Sequence, residues 1–162
     1  GASALPDECG AELLHSAELL LVRPLTYMNR SGWAVRCLVD RHEIAAERCL
    51  IVYDDVALPL GRLRLRAQGG PGGHRGIESI IAALQTESVA RLRLGIRPPD
   101  PEPGGAALSD FVLAPFAPAE VEPVELMVMQ AAAAARVWSE QGIEAAMIRI
   151  HGHGLASDPT VG

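Results

Sequence analysis

The chain has 162 residues, 49% of them hydrophobic, and a formal net charge of −6. That length suits one domain with a buried core, and no apolar run approaches the roughly 18 residues that a membrane-spanning helix needs. The acidic balance excludes binding nucleic acid through the overall field, so any such contact has to come from a local patch. Residues 1–11 have neither a basic start nor a long apolar stretch, which argues against a secretory signal. Residues 18–22 read as a short apolar strand closed by Pro24. Residues 31–40 read as a helix whose apolar positions are Trp33, Val35, Cys37, Leu38 and Val39, and residues 49–53 as a short buried strand. Residues 60–66 alternate with a period of two, which sends Arg62, Arg64 and Arg66 to one face and Leu63 and Leu65 to the other.

A helix is expected over 76–84, after a glycine-rich loop, and a strand over 90–96. A proline- and glycine-rich flap follows over 97–105. Residues 118–141 form an alanine-rich helix with Pro123 in its first turn, and the chain from 152 to 162 is expected to be a flexible tail. Strands interleaved with helices give the α/β class. Cys9, Cys37 and Cys49 are odd in number and lack ligand-like spacing, which fits reduced thiols and no metal site.

The chemistry concentrates in residues 51–80, IVYDDVALPLGRLRLRAQGGPGGHRGIESI. An apolar strand ends in an acidic pair, a basic alternating strand follows, and a glycine loop then opens a helix with free backbone N–H groups. A carboxylate, a basic face and an anion-receptive loop suit a site that acts on a phosphate-bearing polymer. The glycines do not make a nucleotide-binding loop: the chain holds no lysine to complete GK[ST], and no GxGxxG spacing fits.

Five blocks carry a resemblance: RPLTYMNRSGWAV, DDVALPLG, GGPGGHRG, RLRLGIRPP and DFVLAPF. In this order and at these spacings, from about Leu19 to Phe116, the chain resembles bacterial-type peptidyl-tRNA hydrolases. The resemblance implies a single domain over 1–162 with a three-layer α/β/α fold around a mixed, twisted sheet. It also implies a cytoplasmic monomer without cofactor or metal, whose partner is the acceptor stem and CCA end of peptidyl-tRNA. The family's opening GLGNPG-like loop and its threonine-arginine-histidine-asparagine stretch, which supplies the general base, have no counterpart in these residues. The first βα unit is therefore expected to be missing, and these residues alone are expected not to turn over substrate. A non-catalytic RNA-binding relative is the alternative reading.

The same resemblance distributes roles. Asp54 matches the carboxylate that orients the histidine base, with Asp55 pointing the other way along the strand. Asn29 matches an asparagine that holds water and substrate through both ends of its amide, with Ser31 taking the helix-capping role in its place. Tyr27 matches an aromatic position beside the terminal adenosine, and Met28 forms wall. Gly73 and His74 belong to the loop that lets backbone approach the substrate, His74 as a loop-fixing residue and not as a base. Arg75 stands where the family usually has asparagine, which offers charge in place of an acceptor. Arg64, Arg66, Arg91 and Arg93 are the candidates for acceptor-stem phosphates, with Arg66 and Arg93 matching basic family positions.

Overall fold

The computed structural model describes residues 3–16, 19–97 and 106–152. Their contacts divide the chain into two compact units, Gly1–Leu50 with Ala67–Ala90, and Ile51–Arg66 with Arg91–Gly162. The α/β class expected from the sequence holds, with the strands distributed over two three-stranded sheets.

In the first unit, β1 (Ser3–Glu8), β2 (Ala11–Ser16) and β3 (Leu19–Pro24) form an antiparallel meander. Only the third of these strands was expected. The hairpin signal was Gly10: Glu8 pairs with Ala11, and the two-residue loop between them places Cys9 at φ 52° and Gly10 at φ 61°. Positive φ at both loop residues is what a hairpin turn of this length requires. Ala11 and Leu13 from β2 are buried with Cys9 and with Leu38 of α1 (Ser31–Arg41), and Leu20 and Cys37 close over them.

Helix α1 forms where the sequence reads as a helix. Its buried residues are Ser31, Gly32, Ala34 and Leu38, while Trp33 is exposed and Val35, Cys37 and Val39 are half-buried. Small side chains make the contact because α1 crosses α2 (Arg75–Leu84) at close range. A Cβ on Gly32 would lie 2.0 Å from the Ser79 carbonyl oxygen, and the Gly32 N–H donates to Ser79 Oγ at 3.0 Å.

The cysteines supply a correction. Cys9 and Cys37 are joined by a disulfide, and Cys49 is free. They lie 28 residues apart in sequence, but the β1–β2 turn sits over α1 with the two Cα atoms at 5.7 Å, within bridging range. Glu8, beside Cys9, accepts from Arg41 and pairs with His42, and the Leu25 N–H donates to the Gly10 carbonyl at 2.8 Å. One turn is thus tied both to the helix and to the segment that leads into Tyr27.

In the second unit, β4 (Leu50–Pro59), β6 (Ala90–Arg97) and β5 (Leu63–Arg66) form a sheet in that spatial order, with β5 and β6 antiparallel. β4 is ten residues long and largely half-exposed, not the short buried strand expected over 49–53. The link from β4 to β5 steps past the end of β6 at Gly95, where a Cβ would meet the Pro59 carbonyl at 2.0 Å. Helices α3 (Ala106–Leu113), α4 (Val121–Gln141) and α5 (Ile143–Gly152) follow. α4 buries Met127, Ala131 and Ala134, a helical stripe, and α5 packs on both α4 and β5. Pro123 lies in the first turn of α4 as expected, whereas α3 and α5 were not expected. Of the flap expected over 97–105 only Arg97 is described, as the end of β6, and of the tail expected over 152–162 only Gly152, which ends α5; the rest of both lies outside the described residues. No described helix is long and apolar enough to cross a membrane.

Candidate active site and basic face

The sequence-predicted residues fall into two sets, one in each unit. In the first unit, Met28–Arg30 form one 3-10 turn that leads directly into α1. Tyr27 precedes it and is 82% exposed, so it is a surface aromatic and not a core tyrosine. The capping expectation for Ser31 is corrected. Arg30 occupies the N-cap of α1 without a side-chain bond, and the Ser31 hydroxyl donates to the Met28 carbonyl at 2.9 Å. Asn29 is exposed, and among the described residues its amide makes no hydrogen bond, so both of its ends are available.

The glycine loop reaches α2 through Gly72 at φ 59° and Gly73 at φ 80°, conformations that side chains rarely adopt. His74 then caps the helix, its Nδ1 accepting from the Ile77 N–H at 3.2 Å. That contact ties the ring to the start of the helix. Met28 packs at the same helix start: a Cβ on Gly76 would lie 2.5 Å from its sulfur. Asn29 and Arg75 are brought together as walls of a groove of about 300 Å³, completed by Glu78, Ser79 and Ala82. This groove offers an uncommitted amide and a permanent cation beside the Glu78 carboxylate, a lining that suits a polar ligand.

In the second unit, β5 and β6 pair Leu63 with Leu94, Arg64 with Arg93, Leu65 with Leu92 and Arg66 with Arg91. Directly paired residues share a face, so four arginines stand together while Leu65 and Leu92 are fully buried on the other side. Like charges opposite one another destabilise a sheet, and the crowding is visible in the titration of these groups. Partial desolvation, then Arg66 and Arg93, lower the pKa of Arg64. His151 of α5 is lowered in turn by desolvation, then by Arg66 and Arg64.

The four arginines are not equivalent. Arg91 is 4% exposed and is therefore no surface phosphate contact, which corrects its place among the candidates. Arg64 and Arg66 are exposed, and Arg93 is half-buried. On β4, Asp54 makes no hydrogen bond or ion pair among the described residues. Its neighbour Asp55, set aside in the sequence reading, accepts from Arg93 Nε at 2.6 Å. Tyr53, on the same face of β4 as Asp55, has its pKa raised first by burial. Arg93 and Arg91 act against that rise, and Asp55 adds to it. Among the described residues no group of three or more His, Cys, Asp or Glu side chains could hold a metal ion.

Comparison with known proteins gives concordant results. A family profile described as peptidyl-tRNA hydrolase matches residues 4–158, well beyond the segment that carries the sequence motifs. A peptidyl-tRNA hydrolase of Methylacidiphilum infernorum is 44% identical over 133 residues, 82% of this chain and 70% of the relative. One of Exiguobacterium sibiricum is 47% identical over 112 residues, 68% of this chain and 58% of the relative. Among solved structures, the peptidyl-tRNA hydrolase of Acinetobacter baumannii superposes with a TM-score of 0.78 at 27% identity, over 98% of this chain and 80% of that one.

Proposed function

The chain belongs to the peptidyl-tRNA hydrolase family, and from that premise we propose that it acts on peptidyl-tRNA as a single domain. It cleaves the ester between the peptide and the 3′-terminal adenosine, which returns tRNA from stalled translation. The observation that carries the RNA half of this reading is the arginine face of β5 and β6. Arg64 and Arg66 are exposed on a crowded cationic surface that an anionic partner relieves. Phosphate contacts of this kind give affinity without sequence readout, which suits an enzyme that serves every tRNA. In the chemistry Asp54 takes the place of the carboxylate that orients the family's histidine base, a base these residues do not themselves supply. Asn29 holds water and the substrate carbonyl or ribose. Tyr27 offers an exposed ring for the terminal adenine, and Arg75 a charge for a nearby phosphate. Gly73 gives the substrate close access to backbone.

The reading also places the protein in the cytoplasm as a monomer. Thiols are kept reduced there, so Cys9 and Cys37 would exchange with the cellular thiol pool. The test is hydrolysis of an N-acetylaminoacyl-tRNA by the full-length natural protein. Asp54→Asn should lower kcat by roughly 10²- to 10⁴-fold with tRNA affinity nearly unchanged. An unaffected kcat would remove Asp54 from the mechanism.

One observation favours a second reading, a non-catalytic RNA-binding relative: Arg75 lines the groove beside Asn29 where the resemblance calls for an amide. Tight binding of tRNA without any turnover by the full-length protein would select it.

A further inference from the structure

Both oxygens of Asp55 are committed. Oδ1 accepts from the Ala57 N–H of its own strand at 2.8 Å, which fixes the carboxylate's rotamer, and Oδ2 accepts from Arg93 Nε at 2.6 Å. The pair is largely withdrawn from solvent, the two side chains being 24% exposed for Arg93 and 13% for Asp55. Arg23 and Arg36 meet their carboxylates through Nε and an Nη together. Here the carboxylate takes the Nε edge, and among the described residues the Nη nitrogens of Arg93 make no further hydrogen bond. Arg64 stands opposite Arg93 in the sheet, and repulsion between the two would otherwise turn Arg93 aside.

We propose that Asp55 is a positioning residue for RNA: it holds Arg93 by its Nε edge beside Arg64, so that the Nη groups are presented to a backbone phosphate. This rests on the reading of the β5–β6 face as RNA-binding. The work of Asp55 is preorganisation. A guanidinium already oriented loses less side-chain freedom when the phosphate arrives, and the like-charged pair is held ready without collapsing or splaying.

The experiment is a double-mutant cycle on the whole protein. Binding of a minihelix RNA, an acceptor stem ending in CCA, is measured across a salt series for Asp55→Ala, Arg93→Ala and the double variant. Asp55→Asn provides a near-isosteric control whose folding is checked by its melting curve. Asp55→Ala is expected to weaken binding by about fivefold to tenfold and to flatten the salt slope of log affinity by roughly 0.7 to 0.9, as Arg93→Ala does. It should have no added effect once Arg93 is gone. Asp55→Asn should fall between it and the natural protein. Loss of a carboxylate from a cationic surface by itself tightens RNA, so tighter binding by Asp55→Ala would overturn the proposal. Equal weakening in the presence and absence of Arg93 would overturn it too. If Arg93→Ala leaves affinity and slope unchanged, the RNA-binding reading of this face fails at that position, an outcome distinct from failure of the positioning role.

Discussion

Reduction of the Cys9–Cys37 bond should lower stability by an amount that its position sets. The bridge closes a loop of 28 residues. The chain-entropy relation assigns a loop of that length about 3.6 kcal/mol at room temperature, drawn from restriction of the unfolded chain. The native state should survive reduction, because Glu8 still pairs with Arg41 and His42, and Ala11, Leu13 and Leu38 remain buried together. Those contacts are partly exposed and add little themselves. For a chain of this size, each kcal/mol moves the melting temperature by about 2–4 °C, so the expected drop is about 7–14 °C. Thermal melts with and without a reductant measure it. Cys9→Ser should reproduce the reduced value and no longer respond to reductant. Scrambling through Cys49 should not interfere, since burial and then Glu47 raise the pKa of that thiol and keep it protonated. Equal melting temperatures for the two states, with mass spectrometry showing the bond present in one and absent in the other, would refute the reasoning.

Other outcomes follow from single contacts. Gly32→Ala gains roughly 1 kcal/mol of helix propensity but drives a methyl to 2.0 Å from a backbone oxygen. The expected net loss is about 1–3 kcal/mol, read by denaturant melts, and an unchanged midpoint would mean that α1 and α2 separate freely. For His151, burial and the neighbouring Arg66 and Arg64 hold the folded pKa below its ordinary 6.5. The folded chain therefore binds fewer protons than the unfolded one as pH falls through that range, and stability should decline below about pH 6.5. His151→Gln should flatten that acid-side slope, and an identical slope would place the titration elsewhere. Arg75→Asn should raise the hydrolytic rate of the full-length protein and loosen RNA, because an amide restores an acceptor and removes a charge. Single-turnover rates and binding titrations check both halves.

The features legible in the sequence were those with a local cause. Period two in residues 60–66 put the arginines and leucines on opposite faces before any partner strand was known, since alternation is a property of the strand alone. The glycine loop announced the start of α2 because its backbone conformations and the helix that follows are set by adjacent residues. The motif blocks from RPLTYMN to DFVLAPF carried the family and pointed to Asp54 and Asn29 by position. What depended on separate segments meeting in space was not legible. Cys9 and Cys37 looked unpaired because nothing in their spacing shows a hairpin turn laid over α1. The apolar positions of α1 did not say which face would be buried, and Gly32 meeting Ser79 decided it. Arg91 and Arg93 stand two residues apart on one strand, and only the resemblance separated them. In the fold the first is buried and the second meets Asp55 of the neighbouring β4. Local periodicity says which way a side chain leaves its strand, and the neighbouring strand determines what it meets there.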